Sequence, residues 1–407
     1  MNLARELEIK TDLLIEGMRI EEPALEGVGT RYKENINWLF DYNFIQLSPG
    51  LQIPGDLILP RGTYIQVRIN PKSPYLVRKE DDTLVLEKYG HLVSPLRWCD
   101  RPEYYNQRSS DGVEMRKIIY LRGDCCLAVC HSLYCANWED GLQCRFCNMN
   151  AAHQGNVEGL PTFKKAEQVG EVAAAAYQEG IDFHLVLSGG SLPGTKVADQ
   201  TRALIEATQR HTGLERIHGC ADVAPSRDLK DVERIHATGI PVIGYNIEVW
   251  NPHMFEVICP GKSRNIGREN YLRALECAVP LYGRGNVFTV FVLGLEDKDT
   301  TLEGVQYFAE RGVFPALAPW IPMVGSKLEG HRPPQTEWML EVNEKAIDIV
   351  ARELPEVMTV EFFQSGHLGG CYRCNSITLY WDEIRRRIGE PEITMRKDRH
   401  PQAVAQE

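Results

Sequence analysis

The chain reads as an α/β protein, a parallel (β/α) partial barrel of about six to eight units with a small β-rich N-terminal region and a cysteine-bearing C-terminal extension. Three observations predict this. From Phe163 onward, helix-forming and strand-forming segments alternate. Several helices stop at a glycine directly before an apolar run, which is the punctuation of repeated βα units feeding a parallel sheet. Runs such as Phe288 to Leu293 are almost continuously apolar, as expected of strands covered on both faces.

Taken in order, residues 1–112 form the N-terminal region. Tyr64 to Asn70, Tyr75 to Arg78 and Thr83 to Glu87 read as short strands broken by Pro, Asp and Gly. The barrel spans 113–363, and Ile118 to Leu121 is its expected first strand. Lys165 to Gly180 is alanine-rich and ends at glycine, so it reads as a helix. Phe183 to Leu187 is a strand running into Ser188-Gly189-Gly190. Helix–strand pairs follow: Thr201 to Gly213 with Arg216 to Val223, Asp228 to Gly239 with Pro241 to Val249, and Arg268 to Gly283 with Val287 to Leu295. Thr301 to Gly312 with Phe314 to Met323, and Pro334 to Leu354 with a last strand at Val357 to Phe363, complete the series. Residues 364–407 form the extension, with a helix at Asp382 to Ile388 and a polar, frayed end. In such a barrel the loops after the strands carry the chemistry.

Composition narrows the function. The chain has 407 residues, 43% hydrophobic and 25% charged, which is ordinary for a soluble globular protein. A formal net charge of −11 argues against a nucleic-acid binder built on a large basic surface. The N-terminal residues mix charge throughout and offer no apolar core for a signal peptide. No stretch approaches the ~20 apolar residues that span a bilayer. Twelve cysteines without a secretion signal point to a reducing cytoplasm and to metal ligation rather than disulfides. Cys220 and Cys277 lie in apolar periodic segments and read as small core residues.

The most informative cysteines are Cys135, Cys144 and Cys147, in LYCANWEDGLQCRFCN. Three thiolates can hold three irons of a cubane and leave the fourth open to a small molecule, whereas four would serve electron transfer or structure. Cys126 and Cys130 compete with Cys135 for the first position. Cys135 needs the shortest insertion, with Asn137 to Gly141 as a polar turn that bulges out of the loop. The alternative is a zinc site shared with Cys371 and Cys374, although zinc-ribbon pairs usually lie about 15–20 residues apart.

The phrase Cys144-Arg145-Phe146-Cys147-Asn148 resembles the cluster motif of radical S-adenosylmethionine (SAM) enzymes, in which an aromatic residue usually precedes the last cysteine. The spacing departs from the usual C-x3-C-x2-C and is C-x8-C-x2-C here. Five further segments carry the resemblance, the first to radical SAM enzymes at large and the other four to the lipoyl and biotin synthase group. Ser188-Gly189-Gly190-Ser191 falls where a glycine-rich turn meets the SAM amino group, with serine in place of the usual acid. Tyr245-Asn246-Ile247-Glu248 resembles an Asn-x-Glu strand; alternation puts Asn246 and Glu248 on one face. Cys259-Pro260-Gly261-Lys262 resembles an Arg-Pro-Gly phrase without its arginine, so Lys262 or Arg264 would meet the SAM carboxylate. Phe288 to Glu296 and Pro315 to Pro322 resemble the late strands of that group.

The resemblance implies a [4Fe-4S] cluster on Cys135, Cys144 and Cys147, with SAM held by Phe146, Ser188, Gly189, Gly190, Asn246, Glu248 and Lys262. It implies reductive cleavage of SAM, a 5′-deoxyadenosyl radical, and hydrogen abstraction from a small-molecule or cofactor-precursor substrate. An external electron donor such as flavodoxin or ferredoxin is implied as well, with no nucleic-acid or membrane partner. Trp138, Arg122, His218, Asp222 and Trp320 are candidate substrate contacts. Cys371 and Cys374, with two of Cys125, Cys126 and Cys130, would suit an auxiliary iron–sulfur cluster or zinc, with His367 close by. Two other readings are transfer of the 3-amino-3-carboxypropyl group of SAM, and a zinc-stabilised barrel without catalysis.

Overall fold

The computed structural model describes residues 1–36, 47–149, 159–193, 196–364 and 375–389, and the statements below concern these. Cys371, Cys374 and His367 lie outside them. Strands β1 (Arg19–Ile20), β2 (Asp56–Ile58), β3 (Tyr64–Gln66), β4 (Tyr75–Glu80), β5 (Thr83–Lys88) and β6 (His91–Trp98) form one sheet in the order β1-β4-β5-β6-β2-β3. The β5–β6 hairpin turns on Tyr89 and Gly90, both with positive φ (52° and 81°). That is the primed turn whose twist suits adjacent antiparallel strands.

A helix at Leu3–Glu16 precedes this sheet. It is capped by Asn2, whose side chain accepts from the Arg5 amide at 3.0 Å. The sequence hides this helix because Glu6, Lys10 and Thr11 are buried among its apolar positions. Lys10 is held by Asp382 at 2.7 Å, so its charge is neutralised inside.

The second sheet is the barrel. Strands β8 (Cys126–Cys130), β9 (His184–Ser188), β10 (Gly219–Asp222), β11 (Val242–Gly244), β12 (Val287–Leu293) and β13 (Val313–Pro319) follow one another in sequence order, each parallel to the next. Helices Ala166–Gln178, Lys196–Thr212, Lys230–His236, Arg268–Tyr282 and Lys298–Glu310 connect them. This is the expected (β/α) partial barrel with six parallel strands among the described residues.

Two expected strands are corrected. The segment Ile118 to Leu121 does not open the barrel. Met115–Ile118 is one helical turn, and β7 (Tyr120–Arg122) pairs antiparallel with β8 at the sheet edge. Gly123, at φ 59°, makes the hairpin between them, so β8 is the first parallel strand. Val357 to Phe363 is not a strand either: Pro355–Met358 is a 3₁₀ turn and Val360–Gln364 a short helix. Its apolar residues are explained by packing, since the Phe363 ring lies edge-on to Trp381 with centroids 5.2 Å apart. Cys277 is exposed rather than in the core.

The N-terminal half of the barrel interior is filled by Cys126, Val186, Cys220, Val242, Phe288 and Phe314. Helix Tyr380–Arg387 closes it from below. Tyr380 meets Phe314 at 5.1 Å, and Trp381 is 1% exposed. No described helix is long and apolar enough to cross a membrane.

Candidate active site

Strand register sets the level of the site. Cys130 lies beside Ser188, Leu187 beside Ala221, and Asp222 beside Gly244. The segments leaving these strand ends line a cavity of about 160 Å³. The residues singled out in the sequence meet there. Cys135, Cys144, Cys147 and Phe146 come from the first loop, and Ser188, Gly189 and Gly190 from the turn after β9. Asn246 and Glu248 come from beyond β11, and Lys262 from the following short helix.

The cysteine loop is held on three sides. The Ala136 amide donates to Ser191 O at 2.9 Å, the Arg145 amide to Ile258 O at 2.8 Å, and the Leu328 amide to Arg145 O at 3.1 Å. Within the insertion between Cys135 and Cys144, Ala136–Gly141 forms 3₁₀ turns that break at Glu139 and Asp140; Glu139 to Gly141 are exposed, while Asn137 is buried and accepts from Asn265 Nδ2 at 3.0 Å. The Cys147 amide donates to Cys144 O at 3.0 Å, a tight turn that keeps both thiols at the same cavity.

Among the described residues, no three His, Cys, Asp or Glu side chains are already gathered at metal-ligand distances. The donor set nonetheless suits iron, with three thiols sharing one cavity. Burial pushes the Cys135 and Cys147 thiols up from their ordinary range. Cys144 is pulled down, chiefly by a hydrogen bond with Cys259. Cys126 sits at the opposite end of β8, and Cys130 bonds weakly to Ser132 O at 3.4 Å. Neither lines the cavity.

The glycine turn is dictated first by the cysteine loop. A Cβ on Gly190 would stand 2.0 Å from Tyr134 O and 2.7 Å from Cys135 Cβ, and one on Gly189 would strike the His131 ring. The bare backbone admits the loop, and both glycines also line the cavity.

Opposite the cysteines, Lys262 Nζ donates to Glu248 Oε1 at 2.5 Å and to Asn246 O at 2.8 Å. Glu248 holds φ at 69°, a left-handed conformation rare outside glycine, and its amide donates to Val290 O at 2.9 Å. Asn246 Oδ1 is buried without a partner, an acceptor aimed at something the protein does not supply. Asp222 shares this wall; burial raises its carboxyl to about 7, the Glu248 charge adding to the effect.

Of the five candidate substrate contacts, Asp222 alone lines this cavity. His218 borders a different cavity, beside His236 and Tyr282 at the N-terminal end of the barrel. Arg122 is on the edge strand β7, Trp138 on the outer part of the cysteine loop, and Trp320 is buried beyond β13. Glu296, at the end of the Phe288 segment, accepts from the Trp250 and Asn251 amides at 2.7 and 2.9 Å and so fixes the loop after β11. The role of Cys259 was missed; its only sequence signal is the substitution of cysteine for arginine before Pro-Gly.

No family model matches the chain. It is 28% identical over 297 residues to the bacteriochlorophyllide c C-7(1)-hydroxylase of Chlorobaculum limnaeum, covering 70% of this chain and 74% of that protein. That relative is an enzyme, a hydroxylase by its name. The chain's fold overlaps methylornithine synthase (PylB) with a TM-score of 0.45 and 15% identity, over 70% of this chain and 78% of that one. HydG, a maturase of the [FeFe]-hydrogenase, overlaps with a TM-score of 0.42 and 14% identity over 71% and 64% of the two chains. A radical SAM methyltransferase from Sphaerobacter thermophilus gives 0.42 and 15% over 69% and 76%. Overlaps of this extent carry no argument about activity.

Proposed function

We propose that Cys135, Cys144 and Cys147 hold a [4Fe-4S] cluster and that SAM binds beside it in the same cavity. The observation that supports this reading is the meeting of the three cysteines, the Ser188-Gly189-Gly190 turn, Asn246, Glu248 and Lys262 around one space. When bound, cluster and SAM supply reductive cleavage of the S–C5′ bond and a 5′-deoxyadenosyl radical that takes hydrogen from the substrate.

The chain's own residues bind, orient and exclude water. The Gly189 and Gly190 backbone lines the cavity beside the cysteines and meets the SAM amino group there. The unpaired Asn246 Oδ1 accepts a hydroxyl of the ribose. Lys262 offers its ammonium to the SAM carboxylate while neutralising Glu248. Phe146, partly buried at the cavity edge, shields the cysteines from solvent. The substrate is a small molecule with an unactivated C–H bond, and the relative's hydroxylation of a bacteriochlorophyllide makes hydroxylation the first reaction to seek. Electrons come from a flavodoxin or ferredoxin.

The test is anaerobic reconstitution with iron and sulfide, reduction, addition of SAM, and analysis of nucleosides and EPR, beside a Cys144→Ala control. A reducible cubane whose signal shifts with SAM, and 5′-deoxyadenosine absent from the control, is the expected result. Methylthioadenosine in its place would shift the assignment to aminocarboxypropyl transfer. Stoichiometric zinc with no SAM turnover would sink the reading.

A further inference from the structure

Beside the cysteine cavity lies a larger one, of about 500 Å³. The two share Asn137, Ser191 and Ala224 in their walls and meet at these residues. The outer cavity is bounded by the cysteine loop, the segments leaving β9 and β10, and the end of the helix Pro260–Asn265. Its walls are tied to one another. The Ala136 amide donates to Ser191 O at 2.9 Å, Asn265 Nδ2 to Asn137 Oδ1 at 3.0 Å, and Arg227 Nε to Asn265 O at 3.0 Å. The space therefore exists before any ligand arrives. Leu192, Val197, Pro225 and Ile266 give it an apolar lining. Its charges are two guanidinium groups, Arg227 and Arg264, and one carboxylate, Glu139. Glu139 is already engaged by the Tyr134 hydroxyl, and Arg227 by the Asn265 carbonyl. The Arg264 side chain makes no hydrogen bond or ion pair with any described residue. It brings a free, planar set of N–H donors to the cavity.

We propose that this cavity binds the substrate, and that the substrate is an organic acid: an apolar body against Leu192, Val197, Pro225 and Ile266, with a carboxylate or phosphate group on Arg264. The proposal rests on the SAM reading above and gives that reading its substrate class. A radical formed in the inner cavity must meet the C–H bond directly, and the wall at Asn137, Ser191 and Ala224 is where the two spaces join. A guanidinium favours carboxylate and phosphate because its fork matches two oxygens at once. SAM is the wrong occupant for the outer space. Its sulfonium gives it a net positive charge, which two guanidinium groups repel, while the one carboxylate is held by Tyr134. Lys262 lines the inner cavity and Arg264 the outer one. The two cations that follow Pro260-Gly261 thus divide their work, Lys262 toward SAM and Arg264 toward substrate.

The experiment is calorimetric, on the full-length chain reconstituted anaerobically, with anilinonaphthalenesulfonate as an amphiphilic anion probe. Naphthoate, naphthyl phosphate and the uncharged naphthamide are competitors. Arg264→Gln, Arg264→Lys and Leu192→Trp are the variants, each checked by circular dichroism. The expected result is saturable binding that Arg264→Gln weakens on the order of tenfold, that Arg264→Lys weakens less, and that Leu192→Trp removes by filling the cavity. Naphthoate or naphthyl phosphate displaces the probe, the stronger of the two naming the anion, and naphthamide does not. SAM binds alongside the probe. Binding that none of the variants alters, or displacement by naphthamide as readily as by the acids, would overturn the proposal. Displacement by SAM would give the cavity to SAM and overturn it too. If Leu192→Trp does not fold, the Arg264 variants decide alone, since that side chain is exposed. The probe needs no turnover, so the two readings fail separately. Protein that assembles no reducible cubane loses the SAM reading whatever the probe does; protein with a cubane and SAM cleavage but no Arg264-dependent binding loses this proposal alone.

Discussion

Lys262 and Glu248 form a buried ion pair across the cavity wall, Nζ to Oε1 at 2.5 Å, with side chains only 12% and 10% exposed. The Tyr271 ring, 5.3 Å from Nζ, covers the ammonium from another side. The pair lines the same cavity as Cys135, Cys144 and Cys147.

Removing one partner should cost more than removing both. Lys262→Met leaves the Glu248 carboxylate buried and unpaired, and is expected to destabilise the metal-free protein by about 3–5 kcal/mol in urea unfolding at neutral pH. Adding Glu248→Gln should restore much of it. The Lys262 ammonium is held well above 10.5: burial opposes this, and the Glu248 charge overcomes it. A raised lysine contributes fully below its unfolded value, and the contribution fades only as pH climbs past its folded one. Lys262 itself should thus add no slope to the difference between Lys262→Met and wild type from about pH 6 to 9; the slope there is that of Asp222, whose carboxyl Lys262 holds down. A difference that disappears within that window would contradict the assignment.

Asp222 gives the opposite signature. Its carboxyl is raised from 3.8 to about 7, chiefly by burial and next by the Glu248 charge. A group whose folded value is raised favours the native state while protonated, so stability is lost as pH rises from about 4 through 7. Asp222→Asn should raise the melting temperature of metal-free protein at pH 8, and the gain should shrink toward pH 5. Equal gains at the two pH values would show that the carboxyl does not titrate in this range.

Lys33 is the joint between the two sheets. Its buried ammonium donates to Asp56 Oδ2 at 2.6 Å, Leu121 O at 2.5 Å and Gly123 O at 2.7 Å, linking β2 to the β7–β8 hairpin. Asp56 also accepts from Tyr120 Oη at 3.0 Å. Lys33→Met should destabilise by about 3–5 kcal/mol, since a carboxylate and two carbonyls lose their partner together. Chemical denaturation with a double variant, Lys33→Met with Asp56→Asn, should show partial recovery; none at all would point to packing instead.

Gly190→Ala tests whether the turn after β9 governs the cysteine loop. Its Cβ would overlap Tyr134 O, so the loop must move. Iron uptake should fall on the order of tenfold, while backbone displacement costs about 1–3 kcal/mol of stability. Cys126→Ala, at the far end of β8, should keep full iron content. Iron lost from Cys126→Ala and retained in Gly190→Ala would reassign the first ligand.

The barrel was legible because its helices end in glycine and its strands are apolar on both faces. Gly180, Gly213, Gly239, Gly283 and Gly312 all adopt positive φ just past a helix. The two misassigned strands failed for one reason: apolar density marks burial, not extension. Val357 and Phe363 are buried beneath the barrel in helical turns. The N-terminal helix was hidden because Lys10 is neutralised by Asp382, 372 residues away, which no local pattern displays. The same limit applies to the site. The turn glycines are a local signal, whereas Asn246 and Glu248 reach the cavity from beyond β11, Glu248 at a φ of 69°, and not by the strand alternation expected of them.

The floor of the barrel has a consequence for the order of assembly. Tyr380 and Trp381, which seal the interior beneath Phe314, leave the ribosome after all six parallel strands. Until they arrive, the cluster that holds Phe288, Phe314 and Cys220 lacks two of its largest aromatic members. The nascent barrel is therefore an open-bottomed vessel, and completion of its interior waits for the helix Tyr380–Arg387, which follows the last parallel strand. Any iron delivered earlier would enter a vessel still open at its base.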